Sequence, residues 1–372
     1  MAIGPLAILR RISYQPAPEY VLFDILRSRE VDKLMNDGAD VSSNLRHRCP
    51  ICSSAPTASL RGVMAPWIHL LSPEDYEQSL TSNSATSGLA LKRCDHCDFR
   101  WTDCGLPESL AAGVYGNYRN DVYLAARRTF EPWYSRKLNE LSYDDAYIRD
   151  RQSFLATSLP KEVDYERSTN VLLDFGGDRG QFIPDAFSGY LRCVVESSDQ
   201  QVVPGVNKFP SLDTMNLAVG RPAIVLVAHV FEHLQNPLET LLALREFATS
   251  DALLYIEVPL DGSDLDCWSP IDAALLGHAI CTLSVKALEK SSWRLLWVVT
   301  DFIATVASRG PRPVRTRRLK FSEHINFFSE TSVRELCTRA GFEILSSGLG
   351  GSGDGLPHTG AASLGVWLKR SL

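Results

Sequence analysis

The chain has 372 residues, too many for one ordinary compact core, so two domains or one domain with large additions are expected. Its 38 basic residues against 44 acidic ones leave a net charge of −6, which offers no general attraction to a phosphate backbone and argues against nucleic acid as a partner. The opening MAIGPLAILRRIS carries its arginines after a short apolar patch, the reverse of a secretory signal, and no apolar run reaches the ~18 residues of a spanning helix, so a cytoplasmic protein is expected.

Nine cysteines, an odd number that includes two CxxC pairs, point to reduced thiols and metal rather than to a disulfide framework. Cys49-Pro50-Ile51-Cys52 and Cys94-Asp95-His96-Cys97 form two knuckles whose paired thiolates can grip one ion, and four sulfurs suit tetrahedral zinc. A set closed by Cys49, Cys52, Cys94 and Cys97 makes the zinc structural, with residues 53–93 as an excursion and His47, His96 and Cys104 as spare ligands. The aromatic-rich stretch 105–165, with Tyr115, Tyr118, Tyr123, Phe130, Trp133 and Tyr134, is expected to be a mainly helical linker.

Next comes VLLDFGGDRGQF at 171–182: an apolar run ending in Asp174, then a Gly-rich turn and a helix start. Gly176, Gly177 and Gly180 let backbone approach a ligand closely, and the helix N-terminus offers free N–H groups, the makings of a nucleotide-cofactor site. Another apolar run ends in Glu196, an acid placed to accept both hydroxyls of a ribose. Apolar runs at 170–175, 191–196, 223–228, 252–258, 341–347 and 362–369 alternate with helical stretches, which predicts an α/β fold on a parallel sheet.

In such a sheet ligands sit beyond the carboxyl ends of the strands, where His229 falls. His233 would share its face if the chain turns helical there, and with Glu232 the pair makes a plausible proton acceptor and orienting partner. Farther on, Ser329 to Ser332 and Glu335 signal a helix start after EHINFF, and Gly341 signals its stop.

Asp174, Gly176, Gly180 and Glu196 together resemble the class I S-adenosylmethionine-dependent methyltransferases, with Asp178 standing where the central glycine of the motif is usual. His229 to Leu234 with Pro237, IEVP at 256–259 and EHINFFS at 323–329 resemble the branch that modifies sugars and other small metabolites, some members of which carry an N-terminal four-cysteine zinc module. The resemblance implies a Rossmann-like methyltransferase sheet ending in an antiparallel hairpin, a zinc-binding region at 1–104 and a methyltransferase domain at 166–372. It also implies that Asp213 meets the adenine, that His324 lies near the substrate pocket as a rival base, and that Tyr115 or Tyr118 closes over the site. Only residues 197–222 separate Glu196 from Ala223, so at least one helix of the family pattern must be shortened or lost there.

The stretch 261–322 is an insertion. Val285, Leu288, Leu295, Val299, Phe302 and Val306 make one apolar helical face, Trp293, Leu296, Trp297 and Ile303 a second, and six basic residues from Arg309 to Lys320 follow. A lid over the pocket, a peripheral membrane contact through 285–320 and a partner surface all answer to this pattern. A basic lid suits a diphosphate such as that of a nucleotide sugar. The expected activity is methyl transfer from S-adenosylmethionine to an oxygen or carbon of a small, sugar-derived acceptor, nucleotide sugar or glycan. An RNA methyltransferase with a zinc knuckle and a non-catalytic scaffold subunit are the alternatives; the oligomeric state stays open.

Overall fold

A computed structural model describes residues 46–63, 89–103, 115, 118–130, 134–160, 168–198, 200–260, 299, 314–315, 318–319, 324–350 and 362–371. Cys104 and nearly all of the insertion, including four of its six basic residues (Arg309, Arg312, Arg317 and Lys320), lie outside the described residues.

Among the described residues, strands β1 (Ala58–Val63), β2 (Leu89–Cys94) and β3 (Phe99–Thr102) come first, followed by helices α1 (Asp121–Phe130), α2 (Arg136–Asn139) and α3 (Asp145–Thr157). Next come β4 (Val171–Phe175), β5 (Leu191–Val195), β6 (Val206–Phe209), α4 (Leu212–Val219), β7 (Ile224–Ala228), α5 (Pro237–Phe247) and β8 (Leu253–Pro259). After the two-residue strands β9 (Val314–Arg315) and β10 (Arg318–Leu319) come β11 (Asn326–Phe327), α6 (Glu330–Arg339), β12 (Phe342–Gly350) and β13 (Ser363–Arg370).

Seven strands form one sheet in the order β12-β13-β8-β7-β4-β5-β6. β13 runs antiparallel to both its neighbours, while the β8, β7, β4, β5 and β6 pairings are all parallel. The expected parallel sheet with a terminal antiparallel hairpin is what forms. Alternation along each strand sends residues to two cores. Leu172, Val194, Ile224, Leu253 and Trp367 face α3 through Leu155, whereas Leu173, Cys193, Val225, Leu254 and Leu368 face α4, α5 and α6.

Local signals explain most of the helix ends. Ser329 caps α6 with a reciprocal capping box to Ser332, and Gly341 follows it at φ 70°. Pro237 occupies the first turn of α5, where its missing N–H costs nothing.

Two expectations are corrected. No α-helix follows the Gly-rich turn: residues 176–190 run through turns and one 3-10 turn, Asp185–Phe187. Pro184 and Gly189 stand where that helix would run, and a proline there removes a donor and clashes with the preceding turn. The carbonyls of Gln181 and Ile183 are instead bound by the side chain of Gln152 on α3, at 2.9 and 3.3 Å. Second, His229 and His233 are not on one α-helix, because residues Phe231–His233 form a 3-10 turn and His229 itself sits at φ 58°. The compression before Ala223 is real: among the described residues no helix joins β5 to β6, and α4 has only 8 residues.

β3 pairs with β11, so the four-stranded sheet β1-β2-β3-β11 borrows a strand from beyond the insertion. The cysteines share one continuous core with the large sheet, since Cys49, Cys94, Phe99 and Trp101 belong to the same cluster as Phe328, Val333 and Leu336.

Candidate active site

The Gly-rich turn lies at the carboxyl end of β4. Gly176 and Gly180 adopt φ of 68° and 71°, and Asp178 between them adopts 53°, a left-handed conformation that aspartate tolerates better than most residues. That tolerance lets aspartate take a left-handed position in the turn that glycine would otherwise fill. A Cβ on Gly177 would stand 2.1 Å from the Asp174 carboxyl group, so this glycine is required by close packing.

Three acids converge here. Glu196, just past β5, accepts from the N–H of Asp178 at 3.2 Å and from the N–H of Ser198 at 2.9 Å. Burial pushes its carboxyl above the usual range, and burial does the same to Asp178 against the pull of the Gln181 hydrogen bond and of Arg119, Arg179 and Lys208. Asp174, 3% exposed, is pushed up to about 7 by burial first and then by the charges of Glu196 and Asp178, with Arg151 opposing. A cationic ligand fits this donor set, because it would offset the charge that burial makes costly.

At the ends of β7 and β8 lies a buried ionic network. His229 places Nδ1 3.1 Å from Glu232 and Nε2 3.2 Å from Glu257, and Arg151 reaches from α3 to Glu257 at 3.0 Å. The hydroxyl of Tyr255 donates to Glu257 at 2.9 Å. Burial and the nearby Arg151 charge, with Nη1 2.7 Å from His229 Nε2, pull the imidazole pKa down, but the hydrogen bonds to Glu232 and Glu257 prevail and raise it to about 10. Glu232 is fully buried; burial opposes its ionisation, yet His229, and after it His233 and His324, hold it down to about 2.

His233 and His324 sit side by side, ring centroids 5.0 Å apart, and the Tyr115 ring meets His233 edge-on at 6.2 Å. Tyr118 instead packs on Tyr123 and under Arg119. Asp213 is exposed in the first turn of α4. The structure thus groups Asp174, Gly176, Gly177, Gly180 and Glu196 at one end of the sheet, and His229, Glu232, His233 and His324 beside them.

The four knuckle cysteines are buried and unbridged, with Sγ separations of 3.5 Å for Cys49–Cys97 and 3.4 Å for Cys52–Cys94. A zinc tetrahedron with bonds of about 2.3 Å has edges of about 3.8 Å, so the set fits that ion with little adjustment. His96 points elsewhere, 60% exposed and 3.8 Å from Glu335.

Sequence reasoning missed Arg151, Gln152, Arg46 and Asn326. Arg46 is buried and binds the carbonyls of Thr102 and Ile325 and the side chain of Asn326. Asn326 in turn donates to the carbonyls of Phe231 and Leu234, tying the cysteine region to the histidine segment. Only their proximity to motifs (Arg46 lies three residues before Cys49, Asn326 two after His324) could have flagged the last pair.

The sheet order and the glycine turn with its second-strand acid define a class I S-adenosylmethionine-dependent methyltransferase. Accordingly, the chain belongs to the family described as methyltransferase domain, which matches residues 147–347. No curated protein matches the sequence. Among solved structures it is similar to 1,6-didemethyltoxoflavin-N1-methyltransferase of Burkholderia thailandensis, at 14% identity and TM-score 0.41 over 76% of this chain and 96% of that one. It is also similar to magnesium protoporphyrin IX methyltransferase of Synechocystis PCC 6803, at 13% identity and TM-score 0.36 over 70% and 100%. A third is an S-adenosylmethionine-dependent methyltransferase of Anabaena variabilis, at 13% and 0.35 over 70% and 95%. Likenesses this distant add nothing to the family match, on which the assignment rests.

Proposed function

We propose that the protein methylates an oxygen or carbon of a small, sugar-derived acceptor such as a nucleotide sugar or glycan. S-adenosylmethionine supplies a methyl group already activated on sulfonium, so the protein's own task is to align the acceptor and accept a proton from it. Asp174, Gly176, Gly177, Gly180 and Glu196 hold the cofactor, with Glu196 on the ribose and Asp213 toward the adenine. The reading is carried by one juxtaposition: Tyr115, His233 and His324 meet beside buried Glu232, next to the cofactor turn. His233 and His324 act as the acceptor-side base. His229, with carboxylates at both ring nitrogens, is a positioning residue rather than that base. The sugar-branch resemblance of the four-cysteine module and of the His229–Pro237 and 323–329 segments supports the acceptor class. Zinc held by Cys49, Cys52, Cys94 and Cys97 is structural.

The test is calorimetric titration with S-adenosylhomocysteine, followed by acceptor screening with nucleotide sugars. Glu196→Ala should weaken binding by about 1.5–3 kcal/mol, the cost of a lost charged hydrogen bond. Tight, salt-sensitive RNA binding with RNA methylation would overturn the small-acceptor reading.

A further inference from the structure

We propose that Glu232, His233 and His324 form a binding site for a divalent cation. Each offers one ligand atom, and the three atoms lie within 4.8 Å of one another. Two imidazoles and one carboxylate are a donor set suited to an octahedral first-row ion with open positions.

A second observation points the same way. Glu232 is fully buried, and its Oε1 meets His229, yet its Oε2 has no hydrogen-bond partner among the described residues. A buried carboxylate oxygen without a donor is costly, and a cation is the partner that would satisfy it. Oε1 is also 4.0 Å from His233 Nε2, and its contact with His229 is the kind of outer hydrogen bond that fixes a ligating carboxylate.

The ligands are also held in advance of binding. They come from two segments far apart in the chain, joined where the N–H of Ile325 donates to the carbonyl of Glu232 at 2.8 Å. Asn326 clamps the carbonyls on both sides of the ligand pair, at 2.7 Å to Phe231 and 2.6 Å to Leu234. Arg46 holds Asn326 and the carbonyl of Ile325 from behind, at 2.6 and 2.9 Å. Such second-layer bonding is what gives a metal site its geometry.

The cation site goes beyond the function proposed above, which needs no metal. It deepens that function at one point, which rests on the acceptor-side reading: the open positions suit an acceptor with two adjacent oxygens, a vicinal diol or hydroxy ketone. With the ion bound, His233 and His324 are its ligands in place of the base role given to them above; the ion would acidify an acceptor hydroxyl, whose proton would pass to solvent.

The experiment is a Mn2+ titration of the zinc-loaded full chain followed by electron paramagnetic resonance, because Mn2+ prefers nitrogen and oxygen ligands and leaves the thiolate site alone. One immobilised Mn2+ per chain is expected, with affinity reduced at least about tenfold in Glu232→Gln and in His324→Ala. Glu232 is buried and its variant is the one at risk of misfolding, so retained S-adenosylhomocysteine binding is required of each variant, and His324→Ala decides if Glu232→Gln lacks it. Absence of bound Mn2+ in the intact protein, or unchanged affinity in a variant that still binds S-adenosylhomocysteine, overturns the cation site. Mn2+ bound without any S-adenosylhomocysteine binding supports the cation site while sinking the cofactor assignment, so the two failures are distinct.

Discussion

Asp174 concentrates the electrostatics of the cofactor turn in one proton. Its folded pKa of about 7 lies above the ordinary 3.8, so between those values the native state binds a proton that the unfolded chain has released. Stability of the ligand-free protein should therefore fall as pH rises from about 4 to 7, since the unfolded state loses its proton first. A cationic cofactor favours the carboxylate, so binding near pH 6 should expel close to one proton, measured by calorimetry in buffers of different ionisation enthalpy, and Asp174→Asn should abolish that release. Gly177→Ala should destabilise the protein by about 1–3 kcal/mol, as expected of overpacking, with a parallel loss of cofactor affinity measurable in the same titration. Asp174 and Glu196 were legible because strand ends are marked by where an apolar run stops. The reason for Gly177 was not, because the clash it avoids is with a side chain whose direction only the folded turn defines.

Helix α3 supplies what the missing helix after the Gly-rich turn would have supplied. Gln152 satisfies the loop carbonyls, and Arg151 one residue earlier holds Glu257 and stands over the Phe182 ring at 5.3 Å. Adjacent residues on a helix point about 100° apart, so one helix can brace the loop and the ends of β7 and β8 at once. Arg151→Met should leave buried Glu257 with His229 still beside it but without the Arg151 bond, and cost about 1.5–3 kcal/mol, read as a lower midpoint in denaturant unfolding. If the midpoint does not move, the Arg151–Glu257 pair contributes nothing to holding α3 on the sheet. No sequence pattern announced this role: α3 has a weakly amphipathic sequence, and of its residues only Leu155 is fully buried. The signals at α5 and α6 were readable because caps act through neighbours in sequence.

Across the molecule, the cysteine region and the methyltransferase sheet share one core, one strand pairing and the Arg46–Asn326 bond. They should unfold together. Cys49→Ser or Cys94→Ser should lower the midpoint of a single thermal transition for the whole chain and release the zinc proposed for this site, with metal content measured alongside. Two transitions, with the sheet unaffected, would show that the cysteine region is separate from it. The expectation of a distinct N-terminal module followed by a linker follows from reading the chain in order. Strand β11 crosses that order, because a two-residue strand leaves no periodic trace.

The sequence by itself determined the α/β class, the strand succession, the glycine turn with its acids at the ends of β4 and β5, and the pairing of the two cysteine knuckles. Each of these rests on local chemistry: period-two alternation, a turn that needs glycine, or ligands two residues apart. Pro184 and Gly189 already stood against a helix after the Gly-rich turn, and tertiary structure decided that Gln152 binds the carbonyls of that loop. It also decided that His229 is locked between carboxylates while His233 and His324 meet, and that β11 joins the cysteine sheet. Those outcomes depend on groups brought together from separate elements, 29 residues apart for Gln152 and Gln181, 91 for His233 and His324 and 225 for Trp101 and Asn326, where the cost of burying a charge or a carbonyl without a partner selects the arrangement.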